Sequence, residues 1–181
     1  MRVRRGRWLL PCLALVACGP TGPVERVTHY PDGTPWSRGQ LLNGRAHGEW
    51  RTWHPDGSLA SEGEYLAGLE HGRWADYAAD GTPLGERTYD RGRLEGPWLR
   101  CYPDGGPESR GNYVDGVRAG DWTDYFPNGE IRSQGPYVNG RTHGTWRSYR
   151  PDGSFEGLQR FDMDVADGET RQVGGLTATT R

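Results

Sequence analysis

Residues able to do chemistry are present, but their spacing keeps them apart. His47, His71 and His143 stand among 24 Asp and Glu residues, a mixture that could hold zinc or run acid–base catalysis. They are separated by 24 and then 72 residues, both multiples of one internal period. If each period is a pair of β-strands, His47 and His71 lie about 10 Å apart, and His143 about 30 Å further on. Zinc needs every ligand within about 2 Å, so loop histidines bonding nearby backbone describe these positions better. The same reasoning applies to Asp32, Asp56, Asp80, Asp104 and Asp152. Carboxylates about 10 Å apart cannot share a calcium ion that takes its oxygens within about 2.6 Å. Each precedes a glycine, as turn chemistry requires. No nucleophile elbow, phosphate loop or zinc signature occurs in the chain. The residues therefore describe a non-enzyme with no metal and no cofactor.

Cysteine use agrees. Cys12 and Cys18 belong to the N-terminal segment described next, which leaves Cys101 without a disulfide partner. A lone thiol could be reactive. Its counterparts in the other repeats are Trp53, Tyr77, Tyr125 and Tyr149, which favours a small apolar filler.

The N-terminal segment reads as an address. Arg2, Arg4, Arg5 and Arg7 precede an apolar run, Trp8 to Ala17, broken once by Pro11. Ten residues are too few to span about 30 Å of hydrocarbon, but they suit a signal peptide over 1–17. The run ends Leu15-Val16-Ala17-Cys18, which resembles a bacterial lipobox. That resemblance implies cleavage before Cys18, acylation of its thiol and acylation of the new N-terminus. Two or more chains make a stable anchor, each buried methylene contributing about 0.8 kcal/mol. The alternative is an ordinary signal peptide with an incidental cysteine. Arg4-Arg5 hints at twin-arginine export, but the residues after it fit that motif poorly. Gly19 stands where Asp would mark inner-membrane retention, so the resemblance favours a lipid anchor in the outer membrane of a bacterial envelope. Residues 18–28 then form a tether.

The elements that position these residues follow from composition and period. The 181 residues include 29 Gly and 13 Pro, and only 33 % are hydrophobic. Such a chain cannot build a thick aliphatic core. An aromatic share of 11 % and a net charge of −2 are equally wrong for simple disorder. Tight turns joining aromatic-bearing strands satisfy both facts. Every cation is Arg, and no face is basic enough to suggest nucleic acid. Without the four leader arginines, 18 remain against 24 acids, a net of −6 that favours solubility and names no ligand.

The period is 24 residues, without slippage. Turn glycines recur at Gly33, Gly57, Gly81, Gly105, Gly129 and Gly153, each after Asp or Asn. A second column holds Gly48, Gly72, Gly96, Gly120, Gly144 and Gly168. Two residues beyond it stand Trp50, Trp74, Trp98, Trp122 and Trp146, with Thr170 in the final copy. A fourth column reads Leu41, Tyr65, Tyr89, Tyr113, Tyr137 and Phe161. Pro-Asp-Gly is a hairpin signal, because Pro pre-sets φ, Asp or Asn tolerates the next corner and Gly takes positive φ. A wider loop with a glycine at each end, such as 139–144, leads into the following repeat. The expected fold is an all-β, single-sheet antiparallel meander of eleven or twelve strands, stacked along one axis like a solenoid. Columns become rows down the sheet, and each aromatic pair across strands adds up to about 1 kcal/mol. Five repeats occupy 29–153, a degenerate polar cap 154–173, and a loose tail 174–181. Two uses are open for the Trp row. It is a packed core or, if exposed, a platform for stacking on envelope sugars.

These columns resemble MORN repeats, and more closely the variant common in bacterial proteins. The pattern Tyr-x-x-Gly-x-x-His-Gly-x-Trp is intact from Tyr65 through Gly68, His71 and Gly72 to Trp74, and again from Tyr137 to Trp146. Glu95, Ala119 and Asp167 replace the His, and Arg87 replaces a glycine found at Gly39, Gly63, Gly111 and Gly135. The resemblance implies an elongated hairpin sheet acting through protein or membrane contacts. Some bacterial members are labelled antitoxin components, which implies protein binding, though a lipobox argues against a cytoplasmic antitoxin. The functional expectation is a lipid-anchored module that binds or scaffolds a protein partner at the envelope. A glycan-binding surface is the alternative.

Overall fold

The computed structural model describes residues 22–163 and 170–177. The expected signal peptide, Cys18, Gly168 and the last four residues lie outside them. The described residues form one all-β antiparallel sheet and include no helix. In chain order the strands are β1 (Val24–His29), β2 (Pro35–Leu42), β3 (Arg45–Trp53), β4 (Leu59–Leu66), β5 (Leu69–Tyr77), β6 (Pro83–Asp90) and β7 (Arg93–Cys101). They continue as β8 (Pro107–Val114), β9 (Val117–Tyr125), β10 (Ile131–Val138), β11 (Arg141–Thr142), β12 (Gly144–Tyr149), β13 (Phe155–Met163) and β14 (Thr170–Thr177). Each pairs with its neighbour in sequence, except that β10 meets both β11 and β12. The meander is therefore as expected, with more strands.

Two kinds of turn alternate, one along each long side of the sheet. At the Pro-Asp-Gly corners, Gly33 N–H donates to the Tyr30 carbonyl at 3.0 Å, and Tyr30 N–H donates to the Thr34 carbonyl at 2.8 Å. Gly33 has φ +89°. This is a type I turn closed by a bulge glycine, a geometry whose twist suits the flanking strands. The opposite side differs from the wide loop expected there. Asn43 and Gly44, with φ of 52° and 75°, form a two-residue turn of type I′, and Leu42 pairs directly with Arg45. Ala67-Gly68, Arg91-Gly92, Asp115-Gly116 and Asn139-Gly140 repeat it.

The second glycine column consequently lies inside a strand. Gly39 pairs with Trp50, whereas the next residue, Gln40, pairs with His47. Gly48 and Glu49 are thus left over as a bulge facing β2, although Gly48 pairs normally with Tyr65 on the other side. Gly48 has φ +71°, which only glycine adopts without strain. A bulge bends and twists its strand. One bulge per repeat therefore bends the sheet at regular intervals.

Both sequence termini of the array depart from the expected boundaries. Val24–His29, assigned above to the tether, pairs with β2, because Val24 to Thr28 offers the next strand a full set of backbone partners. At the other end, Gly174 and Gly175 of the expected loose tail pair with Arg160 and Gln159.

Candidate functional site

The sheet has two faces, and residues directly opposite in register share one. On the first, four of the five Trp residues of the outgoing strands lie over a glycine of the strand before. A Cβ added at Gly39, Gly63, Gly111 or Gly135 would overlap the ring of Trp50, Trp74, Trp122 or Trp146. Only glycine permits that approach. Trp74, Trp122 and Trp146 each donate their indole N–H to a backbone carbonyl, at Glu64 (3.1 Å), Asn112 (3.3 Å) and Pro136 (3.1 Å). The Tyr column fills the spaces between. Trp50–Tyr65, Tyr65–Trp74, Tyr113–Trp122, Trp122–Tyr137, Tyr137–Trp146 and Trp146–Phe161 meet edge to face, with centroids 5.1–6.5 Å apart. Arg118 covers this row at 4.3 Å from the Trp122 ring and donates to the Tyr137 hydroxyl at 3.0 Å. Exposure falls to 4 % at Trp74, 1 % at Trp122 and 9 % at Trp146. The row is a core.

Arg87 interrupts it. Where the other repeats have glycine, its side chain occupies the space a Trp would cover. Its guanidinium forms a two-pronged pair with Asp76, at 2.6 and 3.1 Å. Trp98 keeps an edge-to-face contact with Tyr113 at 6.1 Å, but lies 5.3 Å from Trp122 at an interplanar angle of 39° and stays half-exposed. Tyr89 makes no aromatic pair among the described residues. The bulge glycine of this repeat, Gly96, has φ +103°, against 63–71° at Gly48, Gly72, Gly120 and Gly144. The irregular residue was visible in the sequence. Its effect on Trp98 was not.

A polar row runs beside the aromatic one. Thr28–Ser37 and Thr52–Ser61 share hydroxyl bonds of 2.6 Å, and Asp124 accepts from Ser109 at 2.7 Å and Ser133 at 3.0 Å. These side chains satisfy one another. The opposite face carries exposed ion pairs, Glu25–Arg38, Arg51–Glu62 and Arg73–Glu86, each worth at most about 1 kcal/mol.

The remaining candidates stay apart, as their period requires. The turn aspartates each hold the residue two places on: Asp32 accepts from Thr34 N–H at 2.9 Å and its hydroxyl at 2.6 Å, and Asp56 does the same with Ser58. Bonds from Thr34, Ser58, Thr82 and Ser154 hold the carboxyls of Asp32, Asp56, Asp80 and Asp152 below the ordinary range. His47, His71 and His143 each bury an Nδ1 with no hydrogen-bond partner; the nearest acid to His71 Nδ1 is Asp90, at 3.4 Å. The expected bond from these histidines to nearby backbone is absent at that nitrogen, because the two-residue turn carries the chain past it. Burial pushes the Cys101 thiol up, with Glu86 adding to the effect, so the thiolate a reactive cysteine needs is disfavoured. Among the described residues no group of three or more His, Cys, Asp or Glu could hold a metal, and no helix is long and apolar enough to cross a membrane.

Sequence reasoning missed the latches between repeats. Tyr30 and Tyr102 donate their hydroxyls to the Trp53 and Tyr125 carbonyls at 2.8 and 2.7 Å, and Gly68 N–H donates to Ala46 at 2.8 Å. Tyr30 and Tyr102, which precede the Pro-Asp-Gly corners, were the available signal.

Comparison with known proteins gives little beyond the repeat itself. No curated protein matches the chain. A solved structure of a protein of unknown function from Bacteroides fragilis aligns over 88 % of this chain and 94 % of that one, at 6 % identity and a TM-score of 0.20, too slight a likeness to carry an argument. A family model described as "MORN repeat variant" matches residues 46–67 and 118–139. Those two segments span an I′-turn strand pair's outgoing strand, its Trp and the returning Tyr, the same parts that build the aromatic row. This chain is thus a carrier of MORN-variant repeats, recognised in those two segments.

Proposed function

We propose that the protein is a non-catalytic scaffold, held at the bacterial envelope by lipid on Cys18, whose repeats bind a protein partner. MORN repeats are generally protein- or membrane-binding modules, which supports the coarse reading. One observation carries the finer one. While Trp74, Trp122 and Trp146 are consumed in packing, several apolar side chains stay exposed beside the type I′ turns. Val114 (44 %) pairs directly with Val117 (43 %) across one such turn, Val138 (37 %) stands at the next, and Leu69 (49 %) lies two turns earlier, beyond Asp90 and Arg93. Adjacent apolar groups left exposed, as these three valines are, mark an interaction site. Binding to envelope sugars is less well supported, because Trp74, Trp122 and Trp146 are buried, although Trp36 (50 % exposed) and Trp98 keep part of a ring free.

Crosslinking in intact cells, followed by purification of the lipidated protein, tests this reading. A partner lost only when Leu69, Val114, Val117 and Val138 are changed together to Ser would agree with an extended interface. Retention on purified sacculi, abolished by Trp→Ala changes that leave the fold intact, would replace it with the glycan reading. For the anchor, Cys18→Ser should leave the precursor uncleaved and outside the detergent phase. Release of a soluble mature chain would mean ordinary secretion.

A further inference from the structure

The column that closes each outgoing strand reads Trp53, Tyr77, Cys101, Tyr125 and Tyr149, an aromatic row with one ring missing. It lies on the face opposite the packed Trp row. A cleft of about 910 Å³ opens at the gap, with Leu99, Cys101, Pro107 and Tyr125 among its lining residues. Tyr125 is buried and forms one wall. The guanidinium of Arg110 lies 5.5 Å above its ring. Two charges on this rim are already paired, Arg73 with Glu86. Arg110 forms no ion pair among the described residues, although Asp121 also lines the cleft.

We infer that this cleft receives an aromatic side chain of a protein partner, with a carboxylate of the same partner on Arg110. The inference rests on the protein-binding reading and names the partner's chemistry. Shape comes from the repeat itself: Tyr77 and Tyr125 show that the fold takes a ring at this column, and Cys101 leaves that place open. Charge comes from Arg110, which makes no ion pair among the described residues and lies over the Tyr125 ring beside it. An aromatic anchor in a desolvated socket with an arginine at the rim is the usual composition of an interface hot spot.

The test uses a short blocked peptide, Gly-Glu-(4-fluorophenylalanine)-Gly, titrated against the full chain in detergent and followed by fluorine NMR. Wild type should shift and broaden the fluorine line. Cys101→Tyr, which restores the row, should weaken binding about tenfold or more, whereas Cys101→Ala, which keeps the space, should not. Replacing Glu by Gln in the peptide should weaken binding to wild type but make no difference to Arg110→Ala. That comparison stands even if Cys101→Tyr folds poorly. Absence of binding to wild type, full binding to a folded Cys101→Tyr, or equal affinity of the Glu and Gln peptides for wild type would each overturn the inference. In cells, a partner crosslinked equally by wild type and Cys101→Tyr would remove this cleft and leave the scaffold reading intact. No crosslinked partner for either would remove the scaffold reading instead.

Discussion

The strand pairs β8–β9 and β6–β7 have the same topology and the same register, and yet they pack differently. In β8–β9, Gly111 lets Trp122 lie flat, bond to the Asn112 carbonyl and become almost fully buried. In β6–β7, Arg87 stands in the glycine's place, pairs with Asp76 and turns Trp98 aside. Backbone pairing in these sheets therefore tolerates a change that side-chain packing does not. The ladder persists because it needs only the strands; the aromatic row needs a missing Cβ at one position in every 24.

The largest expected effect lies in that contrast. Trp122→Ala should cost about 3–5 kcal/mol, the range for a large buried aromatic, and Trp98→Ala no more than half of it. Urea unfolding of both variants measures this, and equal costs would mean that the tilt of Trp98 is of no consequence. Gly111→Ala comes next. Its new methyl meets the Trp122 ring, so overpacking should cost about 1–3 kcal/mol. The reverse experiment sharpens the comparison: Arg87→Gly combined with Asp76→Thr recreates the residues found at Gly63 and Thr52. The indole proton of Trp98 should then move downfield in the NMR spectrum as it gains a carbonyl partner; an unmoved signal would show that another residue holds the ring away.

A smaller effect distinguishes the Asp turns from the Asn turn. The carboxyls of Asp32, Asp56, Asp80 and Asp152 titrate lower in the fold than in the unfolded chain. A lowered folded value means that the stabilisation is complete above about pH 4, the ordinary aspartate range, and is lost as pH falls through the folded values. Thermal unfolding between pH 5 and pH 2 should show the loss. Changing all four to Asn, as Asn128 already is, should flatten it. An unchanged pH profile would assign acid sensitivity to the ion pairs instead. The smallest change is His71→Ala, expected within about 0.5 kcal/mol of wild type, since its Nδ1 makes no hydrogen bond and its one charged neighbour, Asp90, is largely exposed.

Much of this was legible in the residues because a repeat states its own geometry. The period gave the hairpins. Two readings needed correction. Val24–His29 looked like tether because it precedes the first Pro-Asp-Gly, and nothing local marks a strand that exists only by pairing with β2. Residues 139–144 looked like a wide loop because both ends are glycine. In the structure Gly140 makes a turn and Gly144 a bulge, two different uses of positive φ. Sequence registers that a residue is glycine without saying which backbone geometry needs it.

The sequence by itself determined the all-β meander, the Asp-Gly and Asn-Gly turns and the spacing of the aromatic columns, because each depends on local φ preferences repeated at a fixed interval. Only the tertiary structure decided which face is packed. That depends on how a Trp meets a glycine on the neighbouring strand, a contact between residues 11 apart in the chain, as Gly111 and Trp122 are. It likewise decided that Cys101 opens a cleft. A small residue leaves space only if neighbouring strands hold firm around it, and the backbone pairing of β6, β7 and β8 keeps them in place.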